Sequence, residues 1–321
     1  MFSYILRRIG VTIPLIFLGL TLTFFIIRLA PGDPTTKYIN PDFDPEVKAL
    51  MLKKFGLDKP LHVQYWRWIT QFVQGDFGVS FDRSQPVVDV IKYAVGNTMI
   101  LAALALLVSL LTGVILGILS AIKQYSRFDN AMTISSLFFY SMPSFWLGLM
   151  LILIFALLLH WLPAGGMVSI NYDYLSSAGQ FWDRVVHIIL PVFVLGIASA
   201  ASTMRYMRGS MLEIIRQDFI RTARAKGVSE RWVMLKHATR NAILPVVTLF
   251  GLSIPFLVSG SVITEIVFAW PGMGRATINA IFARDYPVVI ATTAIAFTMV
   301  MIGNLVADIL YAVVDPRVKY D

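Results

Sequence analysis

The largest short-range cluster of basic side chains in this sequence lies between residues 204 and 241, and its spacing suits binding to another surface, not catalysis. Apolar residues recur there at helical intervals, which predicts one helix from Met211 to Lys226 and a second from Ser229 to about Asn241. Gly227 suits the left-handed position that ends a helix. Ser229 suits the N-cap of the second helix, and Glu230 suits its positive dipole end.

The small residues Ala223 and Ala225 near this glycine turn permit close approach to a groove on another protein. The same pattern is typical of an amphipathic helix lying on anionic lipid. Residue chemistry alone leaves these two interpretations open.

The sequence lacks the residues that ATP hydrolysis, thiolate metal binding, proton coupling or intramembrane proteolysis would need. No G-x-x-x-x-G-K-[ST] motif is present, so the chain cannot cradle ATP phosphates with such a loop. With no cysteine, it has neither disulfides nor thiolate metal sites. Arg28, His187 and Asp308 all fall near the ends of apolar stretches, which argues against a proton-coupled carrier and an intramembrane protease. We therefore expect no catalytic residue and no metal site in this chain.

The composition is that of an integral membrane protein, with 57% hydrophobic and 14% charged residues and a mean hydropathy of +0.71. A helix needs about 20 apolar residues to cross a bilayer. Six stretches predict six transmembrane helices in an all-α fold, namely Ile9 to Ala30, Met99 to Ile122, Ile134 to Leu159, Val186 to Ala201, Ala242 to Ile263 and Val288 to Val314.

The distribution of basic residues predicts that both termini are cytoplasmic. Arg7 and Arg8 precede the first apolar stretch, which we interpret as a retained helix, and the short outer loops carry only Arg184, Arg275 and Arg284. The net charge of +8 follows from these membrane-flanking loops, so we expect no nucleic-acid partner.

The predicted outer loop from residue 31 to 98 is long enough to fold as a partly helical subdomain. Asp44 to Phe55 and Val63 to Val73 have helical spacing. Trp66 and Trp68 suit interfacial anchors, and the loop as a whole suits a receptor-facing surface.

Polar and small residues within the apolar stretches suggest where helices bend and meet. Gly113 and Gly117 have the spacing of a close helix contact. Pro143 and Pro255 interrupt two stretches beside serines that either line a polar path or satisfy freed carbonyls. The candidate pore-lining residues are Ser141, Ser144, Ser253 and Ser259.

Arg221-Thr-Ala-Arg-Ala-Lys-Gly227 resembles the EAA loop of ABC importer permease subunits, which inserts into the ATPase subunit. An arginine at 221, where the general motif has glutamate, is shared by the dipeptide, oligopeptide and nickel branch. The resemblance implies an ATPase-coupling role for Asp218, Arg221, Thr222, Ala223, Arg224, Ala225, Lys226, Gly227, Ser229, Glu230 and Arg231.

Further motifs in the same order resemble the B-type permease of that branch. They are Tyr4 to Arg8, Ala30 to Pro34, Phe55 to Pro60, Gly75 to Ser80, Phe268 to Arg275, Asp285 to Pro287 and Asp315 to Arg317. We expect binding-protein docking or an outer gate at Phe268, Trp270, Pro271, Gly272, Met273, Gly274 and Arg275.

The resemblance implies a type I ABC importer permease fold in a bacterial or archaeal cytoplasmic membrane. Residues 1–30 would form the N-terminus and first helix, 31–98 the outer loop, and 99–321 the permease core. The expected partners are a second homologous permease subunit, two ATP-binding subunits that hold ATP and magnesium, an extracytoplasmic substrate-binding protein and the lipid bilayer. The expected substrate is a di- or oligopeptide, the alternatives being a nickel or glutathione permease or, from another class, a membrane scaffold.

Overall fold

The computed structural model describes residues 2–29, 53, 58–253 and 261–314. These residues are predominantly helical, and their only extended pairing is an isolated bridge between Val79 and Pro86. The predicted helix from Asp44 to Phe55, the motif from Ala30 to Pro34, Ser259 and the C-terminal Asp315 to Arg317 lie outside the described residues.

Thirteen α-helices follow one another along the described chain. They are α1 Phe2–Leu29, α2 Leu61–Val73, α3 Val87–Ile122, α4 Arg127–Ser141, α5 Ser144–Leu151, α6 Ser177–Ile215, α7 Asp218–Ala225, α8 Glu230–Trp232, α9 Thr239–Ala242, α10 Leu244–Ser253, α11 Val262–Val267, α12 Met273–Phe282 and α13 Tyr286–Val314. Wider π-helical turns continue α5 through Ile152–Leu158 and join α8 to α9 through Val233–Ala238.

The centre of the fold is the long pair α3 and α6. Their backbones approach closely at Gly117, where a Cβ atom would lie 2.7 Å from the Met207 Cβ and 2.8 Å from the Met204 carbonyl oxygen. Gly113 has the same relation to Thr203 and Ala200. The predicted glycine contact is therefore confirmed, and its partner is α6.

An aromatic group fixes α2 against α1 and α13. Tyr65 is buried with Phe24, and its hydroxyl lies 2.8 Å from the Thr21 hydroxyl. The Trp68 ring packs 5.3 Å from the Phe24 ring, whereas Trp66 is exposed. The predicted helix is confirmed, but Trp68 contributes to packing and so differs from an interfacial anchor.

Four described helices, α1, α3, α6 and α13, are long and apolar enough to cross a membrane. Large apolar side chains on their outer faces are exposed, as hydrocarbon contact requires. Helices α4 and α5, with the π-helical turns after α5, form a fifth candidate span when taken together. They meet at a bend of 103° at Pro143. The predicted fifth stretch is represented by α10, and residues 254–260 beyond it are not described.

One expected boundary was wrong. The helix predicted from Met211 to Lys226 is two helices, because Gln217 takes an extended conformation between α6 and α7. Periodicity missed this break because both pieces pack on one core and so share an apolar stripe. The predicted span from Val186 to Ala201 lies within the longest described helix, which extends beyond it at both ends, and Pro191 does not end that helix.

Candidate functional site

The basic segment, defined here as residues 218–242, is fastened to the end of α6 by its apolar face. Ile220 and Ala223 of α7 are buried in one cluster with Met207 and Met211 of α6. Val233, Met234, Ala238 and Ala242 of the following helical turns complete that cluster. The opposite face of α7 is exposed, which leaves its charged side chains available to a partner.

The turn at Gly227 closes α7 by paired backbone hydrogen bonds. The Gly227 N–H donates to the Arg224 carbonyl at 2.9 Å, and the Val228 N–H donates to the Ala223 carbonyl at 3.3 Å. This is a Schellman arrangement, and Gly227 has the φ of +77° that it requires. Val228 packs against the core cluster, so the turn also sets the direction of the second helix.

An exposed ion pair spans this turn. The Arg224 Nε and Nη2 atoms donate to the two Glu230 carboxylate oxygens at 3.1 and 2.8 Å. Arg224 lowers the pKa of Glu230, and Glu230 in turn raises the pKa of Arg224. Ser229 takes the N-cap position, but its side chain makes no capping hydrogen bond.

The exposed surface of the basic segment combines charge with apolar area. Phe219, Trp232 and Leu235 are exposed on it together with the basic residues. Of the predicted coupling residues, only Ala223 faces inward. The exposed ones are Asp218, Arg221, Thr222, Arg224, Ala225, Lys226, Gly227, Ser229, Glu230 and Arg231.

Phe268 to Arg275 forms a second candidate site. It packs on Asn97 and Thr98, in the N-terminal third of α3. Most of it is buried, since Phe268, Trp270, Gly272, Met273 and Gly274 are all in the interior. Pro271 and Arg275 are half-buried, and an Arg275 guanidinium nitrogen donates to the Ala269 carbonyl. A surface this enclosed suits an internal closure better than direct docking of another protein.

Glu265 organises this closure, and sequence reasoning missed it. Its carboxylate is fully buried and accepts hydrogen bonds from the Thr98 hydroxyl at 2.7 Å and the Arg275 N–H at 3.0 Å. The Thr98 oxygen also accepts from the Met273 N–H at 2.8 Å. A side chain at Gly272 would collide with the Glu265 carboxylate, and one at Gly274 would collide with Val262, which explains the small residues there.

The indole of Trp270 fastens the same closure to α3. Its Nε1 donates to the Asn97 carbonyl at 3.0 Å, while the Asn97 amide donates to the Pro271 carbonyl at 3.0 Å. The acid at position 265, in the otherwise uncharged stretch from Val262 to Val267, was the sequence signal that could have indicated this cluster.

Asp285 joins two motifs that lie far apart in the sequence. Its carboxylate accepts from the Ser80 hydroxyl, and from the N–H groups of Phe81 at 3.0 Å and Asp82 at 3.2 Å. The loop before α3 is thereby attached to the junction of α12 and α13. This contact brings together Gly75 to Ser80 and Asp285 to Pro287.

An ion pair with a buried carboxylate and a partly exposed guanidinium binds α6 to α4 near the basic segment. The Arg208 Nε and Nη2 atoms each donate at 2.7 Å to one oxygen of the Asp129 carboxylate. The Ser120 hydroxyl and the Tyr125 N–H donate to the same carboxylate at 2.5 and 2.9 Å. We call this group the Asp129 cluster; sequence reasoning did not single it out.

A cavity of about 470 Å³ lies between α3, α6 and α10. Hydroxyl side chains line it among apolar ones, and the described part of the lining includes no ionisable residue. The hydroxyls are Ser109, Ser199, Ser202, Thr203, Ser253 and Ser261. Of the three predicted pore residues that the structure describes, only Ser253 lies here, while Ser141 and Ser144 flank the bend between α4 and α5.

Among the residues that the structure describes, His, Asp and Glu side chains do not gather in threes as a metal site would require.

Long apolar helices, with charged clusters near their ends and a hydroxyl-lined cavity between them, define a multi-span membrane protein. Residues 113–320 match the family described as the binding-protein-dependent transport system inner membrane component. Residues 1–102 match the N-terminal part of such membrane components. The chain therefore belongs to this permease family, which confirms the resemblance found in its motifs.

Relatives align over the whole chain. It is 44% identical over 322 residues to the oligopeptide transport system permease protein AppB of Bacillus subtilis (strain 168), with 100% of both chains covered. It is 40% identical over 334 residues to the di/tripeptide transport system permease protein DppB of Pseudomonas aeruginosa (strain UCBPP-PA14), covering 100% of this chain and 99% of the relative. The glutathione transport system permease protein GsiC of Salmonella typhi is 39% identical over 320 residues, with full coverage of both.

Proposed function

We propose that this chain is one half of the transmembrane pore of an ATP-driven importer for di- or oligopeptides. The observation that carries the proposal is the basic segment, which is held to the membrane helices by its apolar face and presents an exposed charged and apolar face to a partner. The full-length similarity to two peptide permeases supports the substrate class.

The partner at the basic segment is an ATPase subunit that binds ATP and magnesium, so this chain performs no hydrolysis itself. Two such subunits, a second homologous permease and an extracytoplasmic binding protein complete the importer. The chain crosses a bacterial or archaeal cytoplasmic membrane six times in the type I importer fold, the fifth crossing being the apolar stretch predicted from Ala242 to Ile263. Both termini and the basic segment are cytoplasmic, as the distribution of basic residues supports.

The hydroxyl-lined cavity is the part of the translocation path contributed by this subunit. A peptide carries its own charges and many backbone donors, so fixed charges in the lining would retain some peptides and repel others. Hydroxyls offer weak hydrogen bonds to any backbone, and the volume falls within the range of small-ligand pockets. Ser253 thus retains its proposed role, joined by Ser109, Ser202 and Thr203.

The Glu265 closure is the outer gate of this path, and the loop from 31 to 98 is the docking surface for the binding protein. The burial of Phe268 to Met273 supports a gate, since enclosed residues contact a partner only after rearrangement. Asp285 supports the docking function indirectly, because it connects the loop to the gate through α12.

Glutathione is the second candidate substrate, because relatives named for its transport align over the full chain. The test is to reconstitute the chain with its partner subunits and binding protein in liposomes and to measure ATP-dependent uptake. Saturable uptake of dipeptides or oligopeptides supports the proposal. Uptake of glutathione or nickel alone would refute the peptide assignment and identify that compound as the substrate. A chain that forms no complex with an ATPase would indicate a scaffold.

Single cysteines in this cysteine-free chain test the path directly. Cysteine at Ser202 or Ser253 should react with a water-soluble thiol reagent, and peptide transport should alter the rate of reaction. Cysteine at Thr292, which is buried, bonded to its own helix backbone and not among the residues that line the cavity, is the control. If both cavity positions remain inert with and without ATP, the cavity is not the path.

A further inference from the structure

We propose that the ion pair between Arg208 and Asp129 is the joint that carries movement of the basic segment to the broken span formed by α4 and α5. Arg208 is then a positioning residue for transport. This inference rests on the proposed function, because it assumes that an ATPase subunit displaces the basic segment.

The geometry of the pair fixes orientation as well as distance. Arg208 offers two nitrogen donors to two oxygens of Asp129, each at 2.7 Å, and the planar guanidinium restricts rotation about that contact. Asp129 is only 1% exposed, so water does not readily replace Arg208 as the donor to its carboxylate, although the Arg208 side chain itself is 25% exposed. Bonds from Ser120 and Tyr125 hold the carboxylate from the side of α3.

The basic segment binds to the same turns of α6. Met207 precedes Arg208 in the chain and is fully buried against the segment, together with Met211 one turn later. A tilt or rotation of α6 driven through these methionines therefore displaces the Arg208 guanidinium. Because the pair is bidentate, Asp129 and the start of α4 must follow.

The helix moved by this ion pair is α4, which is held by the pair at one end and ends at the bend at the other. α4 begins beside Asp129 and ends at Ser141, where the chain bends by 103° into α5. Its far end contacts α6 through the Phe139 and Phe193 rings, whose centroids are 6.5 Å apart. Aromatic packing of this kind tolerates small sliding movements between helices, whereas the bidentate ion pair does not.

Arg205 provides a matched control on the same helix. Its guanidinium lies 4.2 Å from the Tyr140 ring centroid, and among the described residues it forms no ion pair with a carboxylate. Replacing Arg205 with lysine retains the charge, as Arg208→Lys does, three positions away on the same helix, and leaves the ion pair between Arg208 and Asp129 intact.

The experiment uses the complete complex reconstituted with its ATPase subunits and binding protein. Basal ATPase activity, its stimulation by peptide-loaded binding protein, and peptide uptake are measured for Arg208→Lys and Arg205→Lys. Arg208→Lys retains the charge but loses the two-pronged contact, so the complex should assemble with unchanged basal activity. Stimulation and uptake should fall about fivefold or more, the usual size of a coupling between sites, and Arg205→Lys should resemble the wild type.

A chemical link provides the second test. Cysteines replacing both Arg208 and Asp129 should abolish stimulation, and a short bifunctional thiol reagent should restore it, whereas a monofunctional reagent should not. Restoration by a neutral link would show that the joint is mechanical.

Wild-type stimulation in Arg208→Lys would overturn the proposal. Loss of assembly, or an equal loss of basal and stimulated activity, would also overturn it, because it would indicate a structural role only. A wild-type complex that fails to respond to peptides would refute the proposed function instead, and is recognised before any variant is compared.

Discussion

Replacement of Gly227 by valine should uncouple the basic segment from its ATPase partner without preventing membrane insertion. Gly227 has a φ of +77°, which valine adopts only with strain. A Cβ atom at this position would have no heavy atom within 4 Å, so no collision adds to the cost. The whole effect is therefore backbone strain, about 1–2 kcal/mol for one left-handed residue.

That strain weakens two backbone hydrogen bonds of the turn and changes the direction in which the second helix leaves it. The bonds from the N–H groups of Gly227 and Val228 end α7 and orient the second helix. A cost of this size shifts the balance between the native turn and a relaxed one by roughly 5–30-fold. Since the exposed face spans both helices, we expect the relaxed turn to fit the ATPase poorly.

The assay compares peptide-stimulated ATPase activity and uptake with the amount of chain in the membrane. Gly209→Val in α6 is the matched control, because Gly209 also has open space around its Cβ position but lacks the left-handed backbone. Gly227→Asn should lose less than Gly227→Val, because asparagine tolerates that conformation better. Full stimulation in Gly227→Val, or an equal defect in Gly209→Val, would refute the reasoning.

Three further outcomes follow from the contacts described above. Gly117→Val should destabilise the contact between α3 and α6 by about 1–3 kcal/mol through overpacking, and a thermal melt in detergent should show it, whereas Gly96→Val, with open space, should melt normally. Trp270→Phe should lower the melting temperature by removing the indole hydrogen bond to the Asn97 carbonyl, a cost of about 0.5–1.5 kcal/mol; an unchanged melt would contradict this. Because Arg224 lowers the pKa of Glu230, the attraction between them is present at neutral pH and is lost as pH falls through that lowered pKa, so an NMR titration of Glu230 should move to higher pH in Arg224→Gln. An identical titration in both proteins would exclude the ion pair.

The turn at Gly227 could be predicted because one residue type and its neighbours determine it. A left-handed position, a helix end and a preference for glycine coincide there. The contact at Gly117 was predictable for the same reason, but its partner on α6 was not, because small-residue spacing carries no information about the opposite helix. Local chemistry thus predicted where elements end or approach another element.

The Asp129 cluster could not be predicted, because it joins residues 79 positions apart. Asp129 and Arg208 each have an ordinary explanation alone, as a helix-start acid and a cytoplasmic basic residue. Most hydroxyls of the cavity were missed for a related reason. Ser141 and Ser144 stand beside a proline that suggests a polar path, whereas Ser109, Ser199, Ser202 and Thr203 lie within long helices and gave no such signal.

The two buried carboxylates missed in the sequence are held at opposite ends of the same helix. Thr98 of α3 donates to Glu265, and Ser120 of α3 donates to Asp129. At about 1.5 Å per residue these two positions are roughly 33 Å apart, close to the thickness of the hydrocarbon core. Both carboxylates can therefore lie near the membrane surfaces while Ser109, midway between them, faces the uncharged cavity. Buried carboxylates at Glu265 and Asp129 are therefore compatible with helices that carry no ionisable residue at the middle of the membrane. The same helix connects the proposed outer gate to the proposed joint, so movement of α3 along its axis would affect both.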